Sequence, residues 1–335
     1  MNPPTPQESR LLVISRNPNL FWEPKPELTA QIHARWPELR IAHSSSAAEL
    51  QSELIETNIL VTRLLSPEEF ASARNLKWIH SLATGVTPMM HPELRQSGIE
   101  MTNASTVHSV PMAEHIVGML LALARRFPDC FRSQQQSRWA QQEFSDAPVK
   151  PRELRGQVLL FIGFGAIGRA VATLLRPFDM RIWTVTRSGR VDPELAEKSF
   201  PAARIQEALP AADFIVVAVP DTDETREMIG VPEFALMKRN AYFVNVGRGS
   251  VANEPALIAA LEARTIAGAG LDVTGREPLP PESPLWKLDN VFITPHVSPL
   301  SERVWERQSQ LLEENLERWF DGRELLNRVS LTKGY

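Results

Sequence analysis

The segment that most limits how this chain can fold runs from Val158 to about Arg176. Five consecutive apolar residues, Val158–Ile162, lead into Gly163-Phe164-Gly165-Ala166-Ile167-Gly168, and a helical stretch follows from Ala166. An unbroken apolar run marks a strand buried on both faces, which needs neighbouring strands and covering helices. Arg181–Thr186 reads as the next strand, and the short apolar form returns at Phe214–Val219, Ala241–Val246, Ala267–Leu271 and Val291–Ile293. Helical stretches separate these runs. Strand–helix alternation over roughly 140 residues predicts a doubly wound parallel sheet.

The glycine turn has a mechanical reading in that setting. Gly163 permits a tight turn, Gly165 lets a pyrophosphate approach the backbone, and Gly168 lets helix and strand pack closely. The N–H groups of Ala166 and Ile167 and the positive end of the helix would face the phosphates. The competing readings are a turn kept for packing alone, or a site for another nucleotide. An acid at the end of the second strand would bind a ribose 2′-OH. This chain has Thr184-Val185-Thr186-Arg187-Ser188-Gly189-Arg190 there, with no acid. Thr186, Arg187 and Ser188 suit a 2′-phosphate instead, unless the turn is merely a solvated basic loop. Val219 and Pro220, at the end of a later strand, are further candidate cofactor residues.

Three loops downstream carry the chemistry. In Asn245-Val246-Gly247-Arg248-Gly249-Ser250, glycines flank an arginine at a strand end, where a guanidinium can grip a carboxylate in bidentate fashion. Leu271-Asp272-Val273-Thr274-Gly275-Arg276-Glu277-Pro278 and Thr294-Pro295-His296 also follow strands. Glu277 beside His296 would favour the imidazolium and hold the ring. Asp272 could fix the loop carrying Glu277, or simply form a turn.

The first hundred residues also alternate. Leu11–Ser15, Ile59–Thr62 and Leu76–Leu82 read as strands and Ala47–Thr57 as a helix, with the turn Ala83-Thr84-Gly85-Val86 after the third strand. This predicts a small open α/β domain. Ser109–Arg126 reads as a helix apolar on both faces, and residues 128–155 as a polar excursion outside the core. Glu302–Phe320 reads as an amphipathic helix. A length of 335 residues fits about two domains. A formal charge of −4 gives no general pull toward nucleic acid or anionic membrane. The single cysteine, Cys130, precludes an intramolecular disulfide and fits a reducing compartment. Met1–Arg10 lacks the apolar centre of a signal peptide, and no apolar run approaches the roughly 18 residues needed to span a bilayer. A cytoplasmic protein without membrane or nucleic-acid partners is expected.

The pieces GFGAIG, VNVGRGS, GLDVTGREPLP and ITPH, with the early TGV turn and Ala113-Glu114-His115, stand in order along the chain. In them the chain resembles the D-isomer-specific 2-hydroxyacid dehydrogenase family, and GREPLPPESPLW is most similar to its glyoxylate/hydroxypyruvate reductase branch. The resemblance implies a Rossmann-type cofactor domain, residues 107–297, inserted into a smaller flavodoxin-like α/β substrate domain, residues 1–106 and 298–335. It implies hydride transfer between a nicotinamide dinucleotide and a small 2-oxo or 2-hydroxy acid such as glyoxylate or hydroxypyruvate, without a metal. Arg248, Glu277 and His296 would be catalytic, and Thr84, Gly85 and Val86 would join Arg248 in holding the substrate carboxylate. Asp272 would count among the cofactor residues. A homodimer through the helix near residues 109–126 is also implied.

Two departures from the family pattern matter. Thr186 replaces the acid of NAD-dependent members, so NADP is the expected cofactor and NAD an admissible one. Asp179 stands where a glycine often precedes the second strand; aspartate tolerates the left-handed region, so no change of fold is expected. Glu277 also separates the chain from formate dehydrogenases, which typically carry Gln there. Choice among 2-oxoacids would rest on loops such as Thr62–Leu64 and those carrying Trp139 and Trp286. A dinucleotide-sensing corepressor retaining the trio is the main alternative. A methyltransferase using the glycine turn leaves Arg248, Glu277 and His296 without a role.

Overall fold

The computed structural model describes residues 3–17, 21–25, 27–147 and 150–334. The chain divides into two compact units, Met1–His108 with Ser301–Tyr335, and Ser109–Leu300.

The first unit is built on β1 (Arg10–Ile14), β2 (Arg40–Ser44), β3 (Ile59–Thr62), β4 (Trp78–Ser81) and β5 (Glu100–Thr102). Their order is β2-β1-β3-β4-β5, and every neighbouring pair is parallel. Its helices before the chain leaves are α1 (Glu27–Arg35), α2 (Ala47–Glu56), α3 (Pro67–Ser72) and α4 (Pro92–Arg95). Side chains alternate across a strand, so one sheet face presents Leu12, Ile14, Leu60 and Ile79, packed with Leu50 and Leu54 of α2. The other presents Leu11, Val13, Ile59, Val61 and Trp78, packed with Leu28 and Ile32 of α1. β2 and β5 escape the sequence reading for a physical reason. Each lies at a sheet edge, β2 is largely accessible and β5 has three residues, so neither shows a sustained apolar run.

The second unit opens with α5 (Ser109–Ala124), which buries Met112, Ala113, Ile116, Met119, Leu120 and Leu123. Residues 128–155 are not simply an excursion, because they include most of α6 (Phe127–Gln135) and all of α7 (Gln141–Asp146). Pro128 sits in the first turn of α6, where a missing N–H costs nothing, but little apolar surface is buried and the periodicity is therefore weak.

The sheet that follows has β6 (Val158–Ile162), β7 (Arg181–Thr186), β8 (Lys198–Pro201), β9 (Phe214–Val217), β10 (Tyr242–Asn245), β11 (Gly268–Leu271) and β12 (Val291–Ile293). Their order is β12-β11-β10-β9-β6-β7-β8, again parallel throughout. α8 (Ala166–Leu175), α9 (Ile205–Ala208), α10 (Val231–Leu236) and α11 (Glu254–Glu262) lie between these strands in sequence. The order reverses between β6 and β9, and ligands of such sheets bind at the carboxyl ends beside that reversal. β8 gives no strand signal in the sequence because it is a four-residue edge strand, Lys-Ser-Phe-Pro, without a sustained apolar run. Asp179 takes φ +51 before β7 and pairs with Arg155 at 2.8 Å, so the departure leaves the fold intact as expected. The chain then returns to the first unit as α12 (Val304–Phe320), whose Leu312 and Leu316 pack with the α1 face of the first sheet.

Candidate active site

The glycine turn joins β6 to α8 as its residue types require. Gly163 has φ +92, and a Cβ there would lie 2.5 Å from Val219 Cγ1 and 2.7 Å from the Ala218 carbonyl oxygen. Both conformation and space therefore demand glycine. A Cβ on Gly168 would meet the rings of Phe164 at 2.7 Å and Phe161 at 3.2 Å, which reflects close helix–strand packing. A Cβ on Gly165 would meet no atom within 4 Å, so the backbone there is open to an approaching group. Gly165 is the N-cap of α8 and supplies no capping side chain. The first-turn N–H groups of Ala166, Ile167 and Gly168 lack partners within the helix and are free to meet an anion. This open cradle fits the diphosphate of a dinucleotide.

The turn after β7 is hydroxylic and basic. Thr186 Oγ1 donates to the Arg190 carbonyl at 3.3 Å, and the Arg190 amide donates to Ser188 Oγ at 3.3 Å. Arg187 is exposed and lies near Glu224. The Glu224 carboxyl is held below its ordinary range, first by a hydrogen bond with Thr222 and in smaller part by the Arg187 charge. Pro220 belongs to that same loop, its carbonyl accepting from Thr225 Oγ1 at 2.6 Å.

The loops after β9, β10 and β11 then pack against one another. A Cβ on Gly247 would lie 2.8 Å from the Val219 carbonyl oxygen. One on Gly249 would lie 1.9 Å from the Thr274 carbonyl oxygen. Between these contacts stands Arg248. Asn245 shapes its turn, accepting from the Gly247 amide at 3.1 Å and donating to the Arg248 carbonyl at 2.9 Å. The Arg248 guanidinium donates to the Gly247 carbonyl at 2.6 Å and forms no ion pair among the described residues. Its remaining donors are available to a carboxylate.

Glu277 and His296 meet directly. His296 Nδ1 lies 2.6 Å from Glu277 Oε2, while Glu277 Oε1 accepts from the Thr274 amide at 3.2 Å. Glu277 is thus held by its own loop, and that loop is tied down by Glu254, which accepts from the Gly275 amide at 2.7 Å. His296 has φ +54, an uncommon conformation for a residue with a side chain. Its Nε2 carries no hydrogen bond among the described residues and remains to exchange a proton.

Asp272 braces a different loop from the Glu277 loop it is expected to fix. Its carboxylate is fully buried and accepts from Thr294 Oγ1 at 2.6 Å and from the amides of Val297 and Ser298 at 2.9 and 3.1 Å. It therefore holds the loop carrying His296, rather than that carrying Glu277. Asn245, Glu254 and Thr294 were given no role in the sequence reading. Asn245 and Thr294 lie within quoted motifs; Asn245 acts on its own turn, two and three residues away, whereas the partners of Glu254 and Thr294 are distant in sequence and carry no periodic signal.

In the first unit, the turn after β4 holds Thr84, Gly85 and Val86. The Leu82 amide donates to the Thr62 carbonyl at 3.0 Å, and Asn103 Nδ2 donates to the Thr84 carbonyl at 2.9 Å. No hydrogen bond among the described residues uses the N–H groups of residues 84–86. The turn therefore presents free backbone donors at the carboxyl edge of its sheet.

The chain is similar to known proteins along most of its length. Residues 117–298 match the model of the D-isomer specific 2-hydroxyacid dehydrogenase NAD binding domain. A glyoxylate reductase of Korarchaeum cryptofilum is 34% identical over 259 residues, covering 77% of each chain. A D-isomer specific 2-hydroxyacid dehydrogenase of Xanthobacter autotrophicus, solved with NADPH and MES, has a TM-score of 0.82 at 27% identity and covers 98% of this chain and 99% of its own. An NADPH-dependent glyoxylate/hydroxypyruvate reductase of Sinorhizobium meliloti, solved with NADP and malonate, has a TM-score of 0.74 at 28% identity, covering 97% and 98%. Among the described residues, no helix is long and apolar enough to cross a membrane. The chain belongs to the D-isomer specific 2-hydroxyacid dehydrogenase family, NAD(P)-dependent oxidoreductases that act on 2-hydroxy acids and use a nicotinamide dinucleotide.

Proposed function

We propose that this enzyme reduces a small 2-oxoacid of the glyoxylate or hydroxypyruvate kind, with NADPH preferred over NADH. The observation that carries the reading is the 2.6 Å pairing of His296 Nδ1 with Glu277 Oε2, which leaves Nε2 free. The nicotinamide dinucleotide supplies the hydride when bound. Gly165 and the first turn of α8 receive its diphosphate, with Val219 and Pro220 on the adjoining loop, and Thr186, Arg187 and Ser188 receive the 2′-phosphate.

Protonated His296 donates from Nε2 to the carbonyl oxygen as that oxygen gains charge. Glu277 stabilises the imidazolium and fixes which nitrogen faces the substrate. Arg248 holds the substrate carboxylate and polarises the carbonyl, limiting the orientations the reactant samples. The free N–H groups of Thr84, Gly85 and Val86 are further carboxylate donors. The glyoxylate reductase relatives and the NADP-bound reductase structures support the substrate and cofactor assignments.

We also propose a homodimer through the helix near residues 109–126: Val110 at the start of α5 is an exposed apolar side chain at 42%, and Phe127 and Phe131 on α6 are exposed at 46% and 58%.

A panel of 2-oxoacids assayed with NADPH and NADH tests the enzymatic reading. Turnover of glyoxylate or hydroxypyruvate is expected. A folded sample that binds dinucleotide but turns over none of the panel would favour a sensing role.

A further inference from the structure

A side chain far from His296 in sequence reaches the loop that carries it. α5 lies close against β11, since a Cβ on Gly270 would come within 3.3 Å of Leu123 Cδ1 and 3.4 Å of Met119 Sδ. His115 lies one helical turn before Met119, about 6 Å along the axis. Asp272 lies two residues beyond Gly270, about 7 Å along the strand. The close packing therefore carries His115 to the carboxyl end of β11. There its Nε2 lies 3.1 Å from Thr294 Oγ1 and 3.7 Å from Asp272 Oδ1.

The proton count settles the direction of each bond. The Thr294 hydroxyl has one hydrogen and donates it to Asp272 Oδ1 at 2.6 Å. Its oxygen must then accept from His115, so the His115 proton sits on Nε2. Burial pushes the His115 ring below its ordinary range, outweighing the opposing charge of Asp272, which keeps the ring neutral at neutral pH. A neutral Nε2–H donor completes the hydroxyl without placing a second charge in the cluster. The Asp272 carboxylate is then left to the Val297 and Ser298 amides at 2.9 and 3.1 Å. Its backbone carbonyl accepts from the His296 amide at 2.8 Å. The main-chain amides of residues 296–298 are thereby pinned by the carbonyl and carboxylate of Asp272, which sustains the left-handed backbone of His296 and directs Nδ1 toward Glu277.

We infer that His115 is a positioning residue for the proposed reaction, acting through Thr294 and Asp272 to hold His296 in the geometry from which it transfers a proton. The inference rests on the reductase reading above. It adds a residue that touches neither reactant and sits on a helix outside the catalytic loops.

His115→Phe keeps the ring volume and removes the donor. It should lower kcat by about tenfold or more, with the KM for dinucleotide nearly unchanged, because misplacement by a fraction of an ångström weakens a catalytic contact. His115→Gln, which retains an N–H donor, should recover most of the loss. Thr294→Val should reproduce the His115→Phe phenotype, and the double variant should be no worse than either single one. Nitrogen-detected NMR of the His296 ring gives a readout without turnover. In His115→Phe the Nδ1 signal should move toward that of an imidazole without a carboxylate partner. Unchanged kcat and an unchanged His296 signal in His115→Phe would overturn the inference, as would equal losses in the Phe and Gln variants. Should His115→Phe not fold, Thr294→Val with the same two readouts decides the matter. Failure of the wild type to reduce any 2-oxoacid would instead overturn the reductase reading, leaving the NMR comparison to judge the positioning role.

Discussion

Gly249→Ala is a small substitution for which the structure predicts a large catalytic effect. The added Cβ would lie 1.9 Å from the Thr274 carbonyl oxygen, 2.0 Å from its carbonyl carbon and 2.6 Å from the Gly275 nitrogen. All three obstacles are backbone atoms, so no side chain can rotate away. Contacts below 3.0 Å are not tolerated, which requires the two loops to separate by about 1.1 Å. One loop carries Arg248, immediately before Gly249. The other carries Glu277, whose Oε1 is held by the Thr274 amide at 3.2 Å. Separation therefore displaces the carboxylate grip, the partner of His296, or both. A misplacement of about 1 Å can cost about 10²-fold in rate. We expect kcat/KM for the 2-oxoacid to fall by that factor, about 2.7 kcal/mol of transition-state stabilisation. Overpacking costs about 1–3 kcal/mol in stability, so the melting temperature should drop by several degrees while the enzyme still folds at 25 °C. The assay is steady-state reduction followed at the nicotinamide absorbance, with cofactor affinity measured separately by fluorescence. The glycine turn at residues 163–168 is not displaced, so that affinity should stay within a few-fold. A folded Gly249→Ala enzyme with kcat/KM within threefold of wild type would refute the claim that these loops must be in contact for Arg248 and Glu277 to act together.

His296→Ala should lower kcat by about 10²–10⁴-fold with dinucleotide affinity nearly intact, the range for a lost general acid. Thr186→Asp combined with Arg187→Ala should turn a preference for NADPH into one for NADH, because a charge-assisted phosphate contact contributes about 1.5–3 kcal/mol and a carboxylate repels the 2′-phosphate. Equal kcat/KM with both cofactors in wild type would reduce that turn to a solvated loop. Burial pushes the His80 ring from its ordinary 6.5 to about 4, with Nδ1 on Thr102 Oγ1 at 2.9 Å and Nε2 unpartnered. The unfolded chain takes up that proton below about pH 6.5 and the folded chain only near 4, so stability falls as pH drops through this window. Urea unfolding should show about 2 kcal/mol lost between pH 7 and pH 5, a loss largely absent in His80→Gln. Light scattering should return twice 37.6 kDa for the homodimer, and a monomer at micromolar concentration would remove the proposal.

The parallel sheet of the second unit, its glycine turn and the positions of Arg248, Glu277 and His296 were readable from residue order alone. The reason is local. A strand buried on both faces must be apolar throughout, as Val158–Ile162 is, and a turn of φ +92 beside Val219 can hold only glycine. Edge strands such as Arg40–Ser44 and Lys198–Pro201 face water and carry no such pattern. The short helices within 128–155 bury too little to show their period. What the sequence could not supply were distances between residues that fold brings together. His296 and Glu277 are nineteen positions apart, and their 2.6 Å contact depends on two loops leaving adjacent parallel strands, β11 and β12. From its sequence position alone Asp272 fits a turn residue, a cofactor contact or a brace for Glu277. It serves the neighbouring loop because β11 ends beside β12, leaving its buried carboxylate facing Thr294 and the amides of Val297 and Ser298. His115 reaches that cluster because α5 settles close onto β11 at Gly270, a consequence of packing between segments far apart in the chain.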